Sequence, residues 1–295
     1  MKKKAYWAFS LIIILTIAGF TLMGEAAVAE ENSSDGIIII NDTIASDDNE
    51  LLFSEAGEAE MDDYAEIFVL RSDISVDAEL VDNYILDMAN TLDDDRTEDY
   101  SDISDISDEL VREYSLIYFG VQYDDTESLR QYISDTIESN NLRNAVFNIL
   151  IEKLRIISYP EKIYSMFEDY AENELAFYTA MSGEEAEEMA AELGYDSKEE
   201  LILSETKYYT DNAMLIDKII DDLELEIYEE ELDSALESYL KSLGYDTQYT
   251  TEEFKELSGE TWLYIFNQLT VRKDIVYEAL ADHIKIVDEM PAAVD

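Results

Sequence analysis

Carboxylate pairs are the commonest candidates for chemistry in this chain, among them Glu184-Glu185, Glu187-Glu188 and Asp221-Asp222. Two acids do general acid–base work when burial or a neighbour separates their proton affinities. On helices as polar as these, the pattern predicts a solvated face instead. His283 is the only histidine. It falls near the end of the last predicted helix, where the terminus or a nearby carboxylate is its expected partner. Cysteine is absent, which excludes disulfides, thiol nucleophiles and thiolate metal sites together. The run from Ser101 to Asp108 spaces oxygen-bearing side chains as a calcium loop would. It lacks the glycine and closing glutamate of such a loop, so a solvated turn is predicted. No glycine-rich phosphate loop or nucleophile motif occurs. These residues predict neither a catalytic residue nor a metal or cofactor site.

Side chains that bind by contact are far more prominent. Tyr164, Met166, Phe167, Tyr170, Phe177, Tyr178 and Met181 crowd the segment after Pro160, and Met189, Tyr208, Tyr209 and Met214 follow. One amphipathic stripe needs fewer. Packing of arm against body claims part of the set, and the remainder is expected to stay open as a peptide-binding surface. Such a surface works through many weak contacts, for which methionine and tyrosine are well suited.

The chain has 295 residues, with 19 basic against 71 acidic and a formal charge of −52. That field repels phosphate backbones and anionic membranes, so nucleic acid is excluded as the main partner. It also keeps exposed apolar area in solution and favours partners with basic segments.

Only 2 prolines and 9 glycines interrupt the chain, which suits long helices. Lys2 to Lys4, an apolar run from Ala5 to Gly24, and small residues at Ala27 and Ala29 have the order of a secretory signal. We expect residues 1–29 to be that signal, cleaved after Ala29. The apolar run is also long enough to remain as a membrane anchor. The expected location is extracytoplasmic. Residues 30–72 read as an acidic disordered leader, interrupted by Ile37 to Ile40. Residues 73–125 read as a short helical region.

From Thr126 onward the apolar spacing is helical throughout. One helix is predicted over 126–158 and another from Pro160 to about Met181. Leu193-Gly194-Tyr195-Asp196 and Leu243-Gly244-Tyr245-Asp246 each place glycine where a left-handed cap is needed. Ser197 with Glu200 and Thr250 with Glu253 form capping boxes. Further helices are therefore predicted near 184–193, 198–220, 229–243, 251–258 and 260–285. The last is apolar nearly all round from Trp262 to Leu269 and should be buried. The predicted fold is all-α, with long antiparallel helices forming an open, arm-bearing domain over 126–290.

The order of several short motifs resembles the C-terminal domain of the trigger factor family of bacterial chaperones. The resemblance covers about Ile106 to Asp288. It rests on Asp125-Thr126-Glu127-Ser128-Leu129, Leu150-Ile151-Glu152-Lys153 followed by Tyr159-Pro160-Glu161, Gly194 to Leu201, Leu225 to Leu232, and Val271 to Tyr277. Ile220, Leu223 and Tyr228 depart from the family's pattern. The family's basic ribosome-docking loop and its FKBP-type isomerase module are not found in the sequence. The resemblance implies the helical, client-cradling part of such a chaperone, here in an exported form. The expected function is ATP-independent holding of unfolded or newly exported polypeptides. The alternatives are a non-catalytic adaptor on the same scaffold and, further off, a prolyl isomerase.

Overall fold

The computed structural model describes residues 57–61, 64–92, 100–119, 121–183, 185–242, 245 and 248–291. Ala27 and Ala29 of the expected signal, the Ile37 to Ile40 run and Gly244 lie outside the described residues. In chain order the elements are β1 (Glu58–Met61), β2 (Ile67–Leu70), α1 (Arg71–Ile74), α2 (Ala78–Leu92), α3 (Asp108–Phe119) and α4 (Thr126–Lys153). After them come β3 (Leu154–Ser158), α5 (Glu161–Ser182), α6 (Ala186–Glu192), α7 (Lys198–Asp222), α8 (Glu229–Ser242), α9 (Thr251–Ser258) and α10 (Glu260–Phe266). A π-helical stretch, Asn267–Arg272, leads into α11 (Lys273–Ala279) and then β4 (Ile284–Val287). The described chain is mostly helical, as the patterning predicts. Two small sheets depart from the all-α expectation.

The chain forms two compact units, one of Met1–Asp63 and Leu150–Ala281, the other of Tyr64–Ile149 and Asp282–Asp295. In the second unit β2 pairs in parallel with β4, Ile67 opposite Ile284 and Val69 opposite Ile286. His283 ends the short 3-10 turn Ala281–His283 that follows α11, and it makes no ion pair with a carboxylate among the described residues. Its Nδ1–H donates to the Ala65 carbonyl at 2.9 Å, just before β2. The core of this unit joins Val81, Ile85 and Met88 of α2 to Val111 and Tyr114 of α3 and to Leu129 and Ile133 of α4. Arg130 reaches Asp82 at 2.7 Å across the same seam. Helix α4 begins where Asp125 accepts the Ser128 amide at 2.8 Å, which satisfies a free donor of the first turn.

In the first unit β1 pairs antiparallel with β3, Glu58 opposite Ser158 and Met61 opposite Leu154. The Arg155 guanidinium is bonded to Glu60 across the pair. This corrects the helix predicted to run through 158. Leu154 to Ser158 holds the β-branched Ile156 and Ile157 close before Pro160, and the backbone of β1 supplies the missing hydrogen bonds. The strands β1 and β2 also fall within 57–72, the end of the segment expected to be disordered.

Helix α5 starts directly after Pro160 and ends at Gly183, which has a φ of 74° and caps it by donating its N–H to the Thr179 carbonyl. Gly194 follows α6 with φ 88°. Ser197 caps α7 by accepting the Glu200 amide at 3.2 Å, and Thr250 and Glu253 form the full reciprocal box at α9. The helix expected over 260–285 is broken by the π-helical turn and ends as a strand. Within its apolar run, Tyr264 and Ile265 are buried, whereas Trp262, Leu263, Phe266 and Leu269 are only half-buried.

Candidate functional site

Helices α5 and α7 frame the candidate site, and their contacts run in opposite directions along the two sequences. Tyr159 meets Asp211, Glu174 meets Tyr209, and Leu175 packs with Leu201. The two helices are therefore antiparallel. On α5, Tyr170, Glu174 and Tyr178 recur every four residues and share one stripe; on α7, Leu201, Glu205, Tyr209 and Ala213 do the same. The stripes face each other. Helix α6 closes one end by placing Ala190, with Met189 and Ala186 beside it, on Leu175 and Leu201.

Four of the residues singled out as peptide-binding are core residues. Phe167 is fully buried, and Met166, Tyr209 and Met214 are nearly so, in a cluster that includes Ile163, Ala213, Tyr264 and Ile265 or, for Met214, under Gly57 and β1. The Phe167 ring lies 5.9 Å from the Tyr209 ring, and Tyr170 meets Tyr209 edge-on at 5.3 Å. No polypeptide reaches these four while the seam is closed. Tyr164, Tyr170, Phe177, Tyr178, Met189 and Tyr208 are half-buried and keep part of their surface in water. The side chain of Met181 lies outside the described ones. Leu203, absent from the expected set, is 56% exposed on the outer face of α7. Its spacing on an otherwise polar face is the signal that would have found it.

Sequence reasoning also missed three polar junctions strung along α7. At the first, the Tyr209 hydroxyl donates to Glu174 Oε2 at 2.6 Å, and Glu205 stands one turn before Tyr209, 8% exposed. Burial pushes the Glu205 carboxyl up to about 7, and the Glu174 charge adds to the rise. Burial also raises Glu174, against the pull of the Tyr209 and Tyr178 hydroxyls. Among the described residues no ion pair reaches either acid. At the second junction, Tyr159 donates to Asp211 Oδ1 at 2.8 Å and Lys207 bonds the other oxygen of the same carboxylate.

The third junction depends on the π-helical turn. One extra residue per turn brings Gln268 inward, where it is 1% exposed. Its amide nitrogen donates to the Ala213 carbonyl at 3.0 Å and to Asp217 Oδ1 at 2.9 Å. Its oxygen accepts from Arg272 at 2.8 Å, and Arg272 also reaches Asp217 at 2.9 Å. Burial lifts the Asp217 carboxyl above its ordinary range, with Arg272 and then Gln268 opposing. Thr206, Thr210 and Asn212, all buried, return hydrogen bonds to carbonyls of α7 itself.

The site can therefore hold protons in a largely buried seam and present aromatic edges beside it. Among the described residues no group of three or more His, Asp or Glu side chains is placed to hold a metal ion. No helix among them is long and apolar enough to cross a membrane. The chain was compared with protein-family models, curated proteins and solved structures, and none matches it.

Proposed function

We propose that the protein is an exported, non-catalytic, ATP-independent holder of unfolded polypeptides, working through the half-buried rings of α5 and α7 and the methionine of α6. One observation carries this reading. Tyr164, Tyr170, Phe177, Tyr178 and Met189 keep part of their surface in water, along a stretch with no lysine or arginine between Lys162 and Lys198. Ring edges offer weak, adaptable contacts. The surrounding carboxylates, Glu168, Asp169, Glu172, Glu187 and Glu188 among them, attract basic side chains, which also bind aromatic faces. The motif order that resembles the trigger factor C-terminal domain supports the same reading, with the long helices serving as open arms. The signal-like first thirty residues support export.

The burial of Met166, Phe167, Tyr209 and Met214 favours a second reading, an adaptor whose rings are mostly structural. One assay separates the two. The protein is mixed at stoichiometric amounts with an aggregating unfolded substrate at low and high salt. Holding predicts suppressed light scattering, with part of the effect lost at high salt. An adaptor suppresses nothing at either.

A further inference from the structure

The α5–α7 seam combines features that a merely structural seam avoids. Two glutamates from antiparallel helices meet at Tyr209: Glu174 of α5 accepts its hydroxyl hydrogen bond, and Glu205, 8% exposed, stands one turn before it on α7, where the Glu174 charge acts on it. A buried charge is ordinarily paired with an opposite one. Here no cation is paired with either carboxylate among the described residues. The groups that reach them are Tyr170 and Tyr178 from α5 and Tyr209 from α7, with Tyr239 of α8 beside Tyr170. Helix α6 brings Ala186, Met189 and Ala190 against this end of the seam, and its Glu187 is taken up by the Lys198 amide. Of the three lysines of α7, Lys207 is bonded to Asp211 and Lys218 to Asp222, and Lys198, at the helix start two turns before Glu205, makes no ion pair among the described residues. Arg272 of the π-helical turn is held by Asp217 and Gln268. The seam therefore holds two like charges unless a proton resides on the pair.

We propose that the Glu174–Glu205 pair is a proton-operated latch: when it loses its proton, α5 and α7 part and expose Phe167, Tyr170 and Tyr209 to a polypeptide. The latch enlarges the surface described under Proposed function by the rings it uncovers, and it rests on that reading. Two like charges in a largely buried seam repel, and fuller hydration of both requires the helices to separate. The tyrosines on the seam are themselves held above their ordinary range, chiefly by burial, so they stay neutral and leave the two acids to titrate. The device makes holding weak in acid and strong in neutral or mildly alkaline surroundings.

The test is hydrogen exchange of the full chain, read by mass spectrometry as protection relative to intrinsic rates at pH 5 and pH 8. The same samples are titrated at high salt with a fluorescent unfolded polypeptide lacking histidine and acidic residues. Protection of α5 and α7 is expected to fall by roughly 50-fold from pH 5 to pH 8 in the wild type. Protection of α2 and α3 is expected to stay constant. Glu205→Gln, which mimics the protonated acid, should keep α5 and α7 protected at pH 8 and bind the polypeptide equally weakly at both pH values. Equal wild-type protection at the two pH values overturns the latch, as does an unaltered fall in Glu205→Gln. So does a seam that opens while the polypeptide binds, with equal affinity, at both pH values. If the seam opens as expected and the polypeptide binds at neither pH, the holding function fails while the latch stands. Should Glu205→Gln not fold, the wild-type comparison and Glu174→Gln decide.

Discussion

Replacing Gln268 by leucine tests whether the π-helical turn exists to build a buried polar junction. Leucine has nearly the same volume and removes three hydrogen bonds: to the Ala213 carbonyl, to Asp217 and from Arg272. Asp217 keeps Arg272 at 2.9 Å and is not stranded. The Ala213 carbonyl belongs to α7 and keeps its helical bond, so losing the amide costs about 1 kcal/mol there. Arg272 is worse placed. Its Nε already has no partner, and a second unsatisfied donor on a half-buried cation costs about 2 kcal/mol. Burial of the leucine side chain returns about 1 kcal/mol. The net loss is about 2 kcal/mol. Urea denaturation followed by tryptophan emission reads it, since Trp262 lies in the same unit, and the m-value should be unchanged. A double-variant cycle of Gln268→Leu with Arg272→Met should show coupling, because the two side chains share a hydrogen bond and both reach Asp217. A single variant within about 0.5 kcal/mol of wild type, or strict additivity in the double variant, would refute the reasoning.

Two further outcomes follow from the same structure. Glu205 is nearly buried and its carboxyl rises from an ordinary 4.5 to about 7, so the folded state binds the proton more tightly than the unfolded one. The stability tied to that proton is fully present below about pH 4.5 and is lost as the pH climbs to about 7, a fall of ~3 kcal/mol. Denaturation midpoints across that range should show the slope in the wild type and a much flatter profile in Glu205→Gln. At Gly57, a Cβ would lie 2.6 Å from the Met214 methyl, 2.7 Å from the Pro160 ring and 3.0 Å from the Ser158 carbonyl. The methionine can move, but the proline ring and the strand backbone cannot. Gly57→Ala should therefore loosen the β1–β3 pairing, seen as faster amide exchange at Arg155 and Ile156, with α2 and α3 unaffected.

Much of the helical framework was legible because its signals are local. Pro160, Ser197 with Glu200, and Thr250 with Glu253 mark helix starts through bonds spanning three or four residues, and each start appears where those residues predict it. Gly194 takes the left-handed conformation its position implied. The strands were not legible for the opposite reason. Leu154 to Ser158 has an apolar pattern that fits a helix end or a short strand equally well, and its partner β1 lies about 100 residues away. The tail Ile284 to Val287 is similar: its partner β2 is more than 200 residues earlier, next to the carbonyl that holds His283.

The candidate site divides along the same line. Composition and spacing alone determined that the stretch after Pro160 is rich in rings and thioethers, that its charge is wholly acidic between Lys162 and Lys198, and that no thiol or histidine cluster is available for catalysis. Tertiary structure alone decided that Met166, Phe167, Tyr209 and Met214 are sealed while Tyr164, Tyr178 and Met189 stay partly wet. It also decided which two of the many glutamates meet at Tyr209. Periodicity defines the stripes on each helix, but which stripes meet depends on where the other helices, β1 and the π-helical turn press against them. That information is spread over 200 residues and is carried by no single motif.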